Sequence, residues 1–418
     1  MEELVGENEE YDGIGIPTSY SGNLEIGEKE LRINCQTISV PENMSMFCKE
    51  YKNKSIDNNF KKRILNYLFP DSDIYVYMEG YTEPEKKEMY TYYFSLKELA
   101  IENGDTLIAD YYDLYCEEYG AGTECIRRDK VESDYDENKY ISRKDGIDYV
   151  VEFVFDNEEY KGMKMYYLHD ELAINSKPYK DYKIVKMEGN YGDNENAGLM
   201  DSNNICSLSK EEAEKIATDF LAEAGISDAS VLENQGLAWQ YEKDGDYGII
   251  EMEYLIDGYS ITYSKSIAGV RASVWYDDCI DNQKTGEAKS KNMNKLCTVF
   301  VDDTGIIGFN IYDSFVETES ALKKTNLISW NELIGKMEQN GADYFAGEYS
   351  SYKSLEVNYV RLTYDIVQND VGIYMKPVWE FMRFDEKDLE SEYYMYPEIV
   401  ICVDAESGDY IKNDEIVN

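Results

Sequence analysis

The residues of this chain best suited to chemistry are its acids. There are 85 Asp and Glu against 41 Lys and Arg, with a single histidine, His169. Closely spaced carboxylates either hold hard cations or divide acid and base roles between them. Three runs have the density for a cation loop: 193–198 (Asp-Asn-Glu-Asn-Ala-Gly), 302–305 (Asp-Asp-Thr-Gly) and 404–408 (Asp-Ala-Glu-Ser-Gly). The first starts like an EF-hand loop, but Ala197 stands at its fifth position and Asn204 at its twelfth, where a bidentate Glu belongs. The other two read as hairpin turns, in which Asp caps the turn through its side-chain oxygen and Gly supplies a positive φ. Asp244-Gly245-Asp246 reads the same way. His169 lies beside Asp170 with no nucleophile motif nearby, so neither Ser-His-Asp nor Cys-His catalysis has its base. No Gly-rich phosphate loop of either nucleotide-binding type occurs. No C-x-x-C occurs, and one histidine cannot complete a Cys/His zinc set. The sequence therefore assigns no catalytic, cofactor-binding or metal residue and no cofactor.

Composition sets the surroundings. The 418 residues suffice for two or three cores, and 43% hydrophobic with 14% aromatic content excludes wholesale disorder. The formal net charge of −44 repels phosphate backbones and anionic lipid, which argues against a nucleic-acid partner. Spread along the chain, the acids read first as a solvated surface and second as a face for a basic partner or divalent cations. No apolar run of membrane-spanning length is present. No signal peptide opens at Met1, so the expectation is either a cytoplasmic protein or one whose leader has been removed. Of the eight cysteines, Cys116 and Cys125 are spaced for a hairpin disulfide, whereas Cys297 and Cys402 lie in apolar runs and read as buried thiols.

The elements that must position these residues follow from periodicity. A polar leader over 1–25 is expected to be flexible. Strands are predicted at 31–40, 74–78, 90–96 and 106–115, with a helix at 58–69 that Pro70 stops. A hairpin is predicted from 149–155 and 162–168, and a Gly/Asp/Asn linker over 189–204. The clearest helix begins at Ser209, whose Ser209-x-x-Glu212 spacing is a capping box, and ends at Gly225. Ser329-x-x-Glu332 opens another helix with Trp330, Leu333, Ile334 and Met337 on one face. After each of these two helices come meandering strands and then an acidic hairpin. Trp330 and Trp379 fall at apolar positions and read as core, although the four tryptophans with the 40 tyrosines suggest a sugar platform as an alternative. The pairs Tyr92-Tyr93, Tyr111-Tyr112 and Tyr393-Tyr394 place one ring on each face of a strand, leaving one ring of each pair for a partner surface.

Leu208–Ala213, the Pro377-Val378-Trp379-Glu380-Phe381 strand and the Asp404–Gly408 hairpin resemble PepSY-like modules of bacterial envelope proteins. The run 254–261, with Asp257-Gly258 at its centre, looks like the crossing strand of the earlier copy. Architecturally the chain is similar to YycH/YycI-type regulators and to Gram-positive lipoproteins, over about 207–418. The resemblance implies an α+β fold in which antiparallel sheets are each packed by an amphipathic helix. The Gly/Asp/Asn linker closes a β-rich N-terminal domain at 26–200, and the resemblance divides the remainder into tandem PepSY-like units at 201–325 and 326–418. It implies an extracytoplasmic protein, tethered through a lipid-modified Cys in a leader, since Cys35 lies too deep to serve. It also implies a non-enzymatic role: binding and regulating another protein, a membrane sensor kinase or protease. A surface glycan- or peptide-binding module is the alternative, and a carboxylate-dependent glycoside hydrolase the lesser one.

Overall fold

The computed structural model describes residues 15–42, 45–120, 124–168, 183–188, 204–244, 250–272, 296–312, 314–344, 352–369, 371–383 and 398–411. Local signals explain most of the elements. Helix α1 (Asn58–Leu68) starts at Asp57, whose carboxylate accepts from the Phe60 N–H, and it buries Ile64, Leu65 and Leu68. Strands β7 (Ile147–Asp156) and β8 (Glu159–Tyr167) form the predicted hairpin, turning through Asn157 and Glu158 in the left-handed region. Helix α4 (Lys210–Glu223) carries the Ser209/Glu212 capping box. Helix α5 (Trp330–Tyr344) carries the one made by Ser329 and Glu332.

Two predicted strands are helices. Residues 90–96 lie in α2 (Glu83–Glu102) and 106–115 in α3 (Thr106–Glu118). The Tyr-rich composition suggested strands, but strand preference depends on having a sheet to pack on. Here the local start signals win. The Glu85 carboxylate accepts from both the N–H and the hydroxyl of Thr82, Pro84 sits in the first turn, and the Asp105 carboxylate accepts from the Ile108 N–H. The Tyr92-Tyr93 and Tyr111-Tyr112 pairs therefore alternate around a helix. Tyr93 and Tyr112 turn inward, while Tyr111 stays exposed. Tyr393-Tyr394 lies outside the described residues, as do His169, 193–198 and Trp275. Cys116 and Cys125 are both thiols, not a clip: Cys116 packs inside the α2–α3 pair, and Cys125 is exposed beyond it.

Among the described residues the strands form two large sheets and one small one. The larger has the order β5-β6-β7-β8-β14-β13-β11-β10-β9. It combines β5 (Ile74–Val76), β6 (Lys139–Lys144), β7 and β8 with β9 (Lys183–Glu188), β10 (Ala229–Asp244), β11 (Ile250–Ile267), β13 (Leu296–Asp302) and β14 (Gly305–Ile311). The second has the order β15-β4-β19-β18-β3, with β20 beside β19. Its members are β3 (Ile38–Ser39), β4 (Phe47–Asn53), β15 (Phe315–Glu317), β18 (Tyr359–Asn369), β19 (Gly372–Arg383) and β20 (Glu398–Asp404). The third joins β1 (Tyr20–Ile26), β2 (Lys29–Cys35) and β17 (Ser354–Val357), and the two-residue strands β12 (Val270–Arg271) and β16 (Lys323–Lys324) pair with β11 and β4. Pairing is antiparallel except at β17–β2 and β18–β3. The fold is α+β, mostly antiparallel.

Pairing crosses the boundaries expected at 200 and 325. Strand β8 pairs with β14, so residues on either side of 200 share one sheet and one core. The first strands of the chain pair instead with its last ones. Ile16 and Leu24, inside the expected flexible leader, are buried in that second core with Trp330, Trp379 and Phe381. The described chain thus enters through one core, builds the other mostly within 56–311, touching the first again at Ile267 and Ala272, and returns.

Within this frame the repeat is geometric. In the first copy β10 and β11 form a hairpin, β13 pairs with β11, and an acidic turn leads to β14. In the second copy β18 and β19 form a hairpin, β20 pairs with β19, and an acidic turn leads to a bridge between Val403 and Tyr410. One helix packs on each: α4 through Ala213, Ala217, Phe220 and Leu221, α5 through Trp330, Leu333 and Met337.

Candidate functional site

The acidic turns fasten helix starts. Asp302 is buried, and its carboxylate accepts from the N–H (2.8 Å) and hydroxyl (2.6 Å) of Thr304, closing the turn as predicted. Asp303 reaches the segment that leads into α4. Its Oδ1 accepts from the Ser207 hydroxyl (2.7 Å), the Ser207 N–H (2.9 Å) and the Cys206 thiol (3.3 Å). The Ser207 hydroxyl, more than any other neighbour, holds this carboxyl below the ordinary aspartate range. Asn204 braces the same segment by accepting from Gly258 N–H and donating to Gly258 C=O. Gly258 has φ +123°, and a Cβ there would lie 2.4 Å from the Val301 carbonyl oxygen, so the Asp-Gly crossing admits only glycine. From the other side, Lys144 donates to Thr304 C=O at 2.7 Å.

Around this turn the Cys206 sulfur and carboxylate oxygens of Asp257 and Asp303 lie within 4.8 Å of one another. These are the donor types of a cation site. Burial pushes the Cys206 thiol up to about 12, and Asp303 already accepts from three donors, contacts that fasten the turn to the segment leading into α4.

The second turn does the same for α5. Asp404 accepts from the Glu406 and Ser407 N–H groups and from Lys376 Nζ (2.6 Å). Ile328 N–H donates to Ala405 C=O, and Lys336 Nζ donates to Ser407 C=O. Trp330 is 3% and Trp379 1% exposed, with their rings edge to face at 5.5 Å. They are core, and neither offers a sugar platform.

What faces solvent with a distinct chemistry is the α2–α3 pair. It has a small core of its own, in which Tyr93 stacks on Tyr115 (4.3 Å) and on Tyr119 (5.8 Å) around Met89, Ala109 and Cys116. Polar ties join it to the rest: Arg143 to Glu88, Arg128 to Glu85, and Lys86 to Glu124 C=O. Eight of the fifteen exposed large hydrophobic side chains among the described residues belong to these two helices. Tyr90 and Phe94 stack in the open on α2. On α3, Leu107 is 81%, Tyr111 54% and Leu114 64% exposed. Sequence reading flagged Tyr111 but missed the leucines. The signal was available: positions 107, 111 and 114 follow helical spacing once Asp105 is taken as a cap.

No family model and no curated protein matches this chain. Among solved structures it is similar to the Bacillus megaterium YpeB C-terminal domain, with 14% identity and a TM-score of 0.25 over 68% of this chain and 85% of that one. Likeness of that degree carries neither fold membership nor a ligand or partner to this chain.

Proposed function

We propose that this protein is a non-catalytic, protein-binding component of the bacterial cell envelope that holds a membrane sensor kinase or protease in one of its states. The observation that carries the reading is the α2–α3 pair, which exposes apolar and aromatic side chains together on two tyrosine-stacked helices. Clustered exposed apolar residues in a soluble fold mark interaction surfaces. Regulation then needs no chemistry, only a difference in affinity for two states of the partner. The location outside the cytoplasm, with a lipid tether in a leader, follows the resemblance of the helix-and-acidic-turn repeat to PepSY-like units. Among the described residues no helix is long and apolar enough to cross a membrane.

The alternatives find less support. A hydrolase needs a carboxyl pushed up to act as general acid. Among the described residues, the carboxyls of Asp303, Glu212, Glu332 and Glu159 are pushed down by donors beside them, the direction opposite to a general acid's. The glycan reading loses Trp330 and Trp379 to the core.

The test is capture from envelope extract with the whole protein as bait, followed by reconstitution with the purified candidate. Saturation at fixed stoichiometry, with a change in the candidate's kinase or protease activity, is the expected result. Turnover of a glycan or peptide by the bait alone would refute the reading.

A further inference from the structure

We propose that the outer face of α3 is a docking surface for a cationic amphipathic helix of the partner. This rests on the protein-binding reading and specifies its chemistry. Leu107, Tyr111 and Leu114 recur at i, i+4 and i+7, so they form one stripe along the helix, and all three are exposed. Asp110, Glu117 and Glu118, also exposed, fall at i+3, i+10 and i+11 from Leu107, on the same side. An apolar stripe bordered by acids is complementary to a helix with a leucine stripe bordered by Lys or Arg.

The charge here is local as well as global. Between 98 and 126 the sequence has eight Asp or Glu and no Lys, Arg or His. The lysine just before this stretch, Lys97, is already paired with Asp113. A cationic side chain must therefore come from outside. A second copy of this chain would bring the same acids against these and be repelled, and anionic lipid is disfavoured for the same reason. Salt should weaken the contact, because the acids are exposed and screened.

The experiment uses the whole protein and a labelled 18-residue Leu/Lys peptide patterned to place all its leucines on one helical face, with a Leu/Glu peptide of the same pattern as control. Binding is read by fluorescence anisotropy at 50 and 300 mM salt. Wild type is expected to bind the Leu/Lys peptide and not the control. The Leu107→Ser/Leu114→Ser variant should lose at least about tenfold in affinity. A D110N/E117Q/E118Q variant should lose affinity and most of its salt dependence. Circular dichroism and thermal melting check that these exposed changes leave the fold intact. Equal binding by wild type and the leucine variant would overturn the proposal, since the peptide would then be reading the acidic surface at large. No binding, or equal binding of the Leu/Glu peptide, would overturn it too. The broader reading fails separately: a partner whose capture is indifferent to L107S/L114S leaves protein binding standing and removes this face from it.

Discussion

Lys265→Met tests whether the two cores are locked by a buried ion pair. Lys265 and Asp228 have side chains only 5% and 8% exposed, with Nζ to Oδ2 at 3.1 Å. The Tyr51 hydroxyl, from the second core, donates to the same carboxylate oxygen at 2.7 Å, and the Lys265 ammonium sits 5.3 Å from the Tyr51 ring. Strand β11 carries Lys265 out of the first core, where Ile261 and Tyr263 are buried, toward the second, where Ile267 is. At an effective dielectric of about 20, charges at this separation attract by about 5 kcal/mol before desolvation. Removing one partner of such a pair costs about 3–5 kcal/mol, because the other charge stays buried. K265M should therefore destabilise by that amount. Asp228→Asn should do similar damage by leaving the ammonium opposite a neutral amide. The double variant K265M/D228N removes both charges and should lose only about 1–2 kcal/mol, a coupling of several kcal/mol in the cycle. Tyr51→Phe should lose about 1.5–3 kcal/mol, the range for a hydrogen bond to a charged group. Urea unfolding followed by circular dichroism and tryptophan fluorescence measures all four. Single-variant losses that add to within about 0.5 kcal/mol would show a pair too well solvated to couple, and the reasoning would be refuted.

Four other outcomes are expected. Phe220→Ala, which empties the space between Tyr67 and Phe309 at 5.7 and 4.9 Å, should cost about 3–5 kcal/mol in urea titration. Gly258→Ala should cost about 2 kcal/mol or more, since the positive φ and the Val301 carbonyl both oppose a Cβ; near-wild-type melting would contradict that geometry. The depressed Asp303 carboxyl contributes stability that is fully present above the unfolded aspartate value of about 4 and is lost as pH falls through its lower folded value. Asp303→Asn should therefore flatten the acid limb of the stability–pH curve below about pH 4, and an unchanged limb would deny the fastening role. Cys125, exposed, should be alkylated by iodoacetamide at pH 7.5 in the folded protein, whereas Cys35 and Cys206, each pushed up to about 12 by burial, should react only as the protein unfolds, as peptide mapping would show.

Helices α1, α4 and α5 were legible because their start signals and apolar faces are local. Ser209 with Glu212 and Ser329 with Glu332 cap as their spacing dictates, and the faces they open are the buried ones. The β7–β8 hairpin and the acidic turns were legible for the same reason. Helices α2 and α3 were not, because a run of tyrosines suits either a strand or a helix. The choice fell to Thr82, Glu85 and Asp105, and to tyrosine stacking between the two helices.

By itself the sequence determined an acidic α+β chain, a helix-and-turn repeat in its second half, and core positions for Trp330 and Trp379. It also determined that the chain lacks the motifs for nucleotide or zinc chemistry. Only the tertiary structure decided that the first strands close the last sheet, that β8 meets β14 across the expected boundary, and that Leu107 and Leu114 face solvent. The physical reason is distance along the chain. Caps, turns and periodic faces are fixed by residues a few positions apart, whereas strand pairing over hundreds of residues, and the exposure of one helical face, depend on what the remaining chain brings beside it.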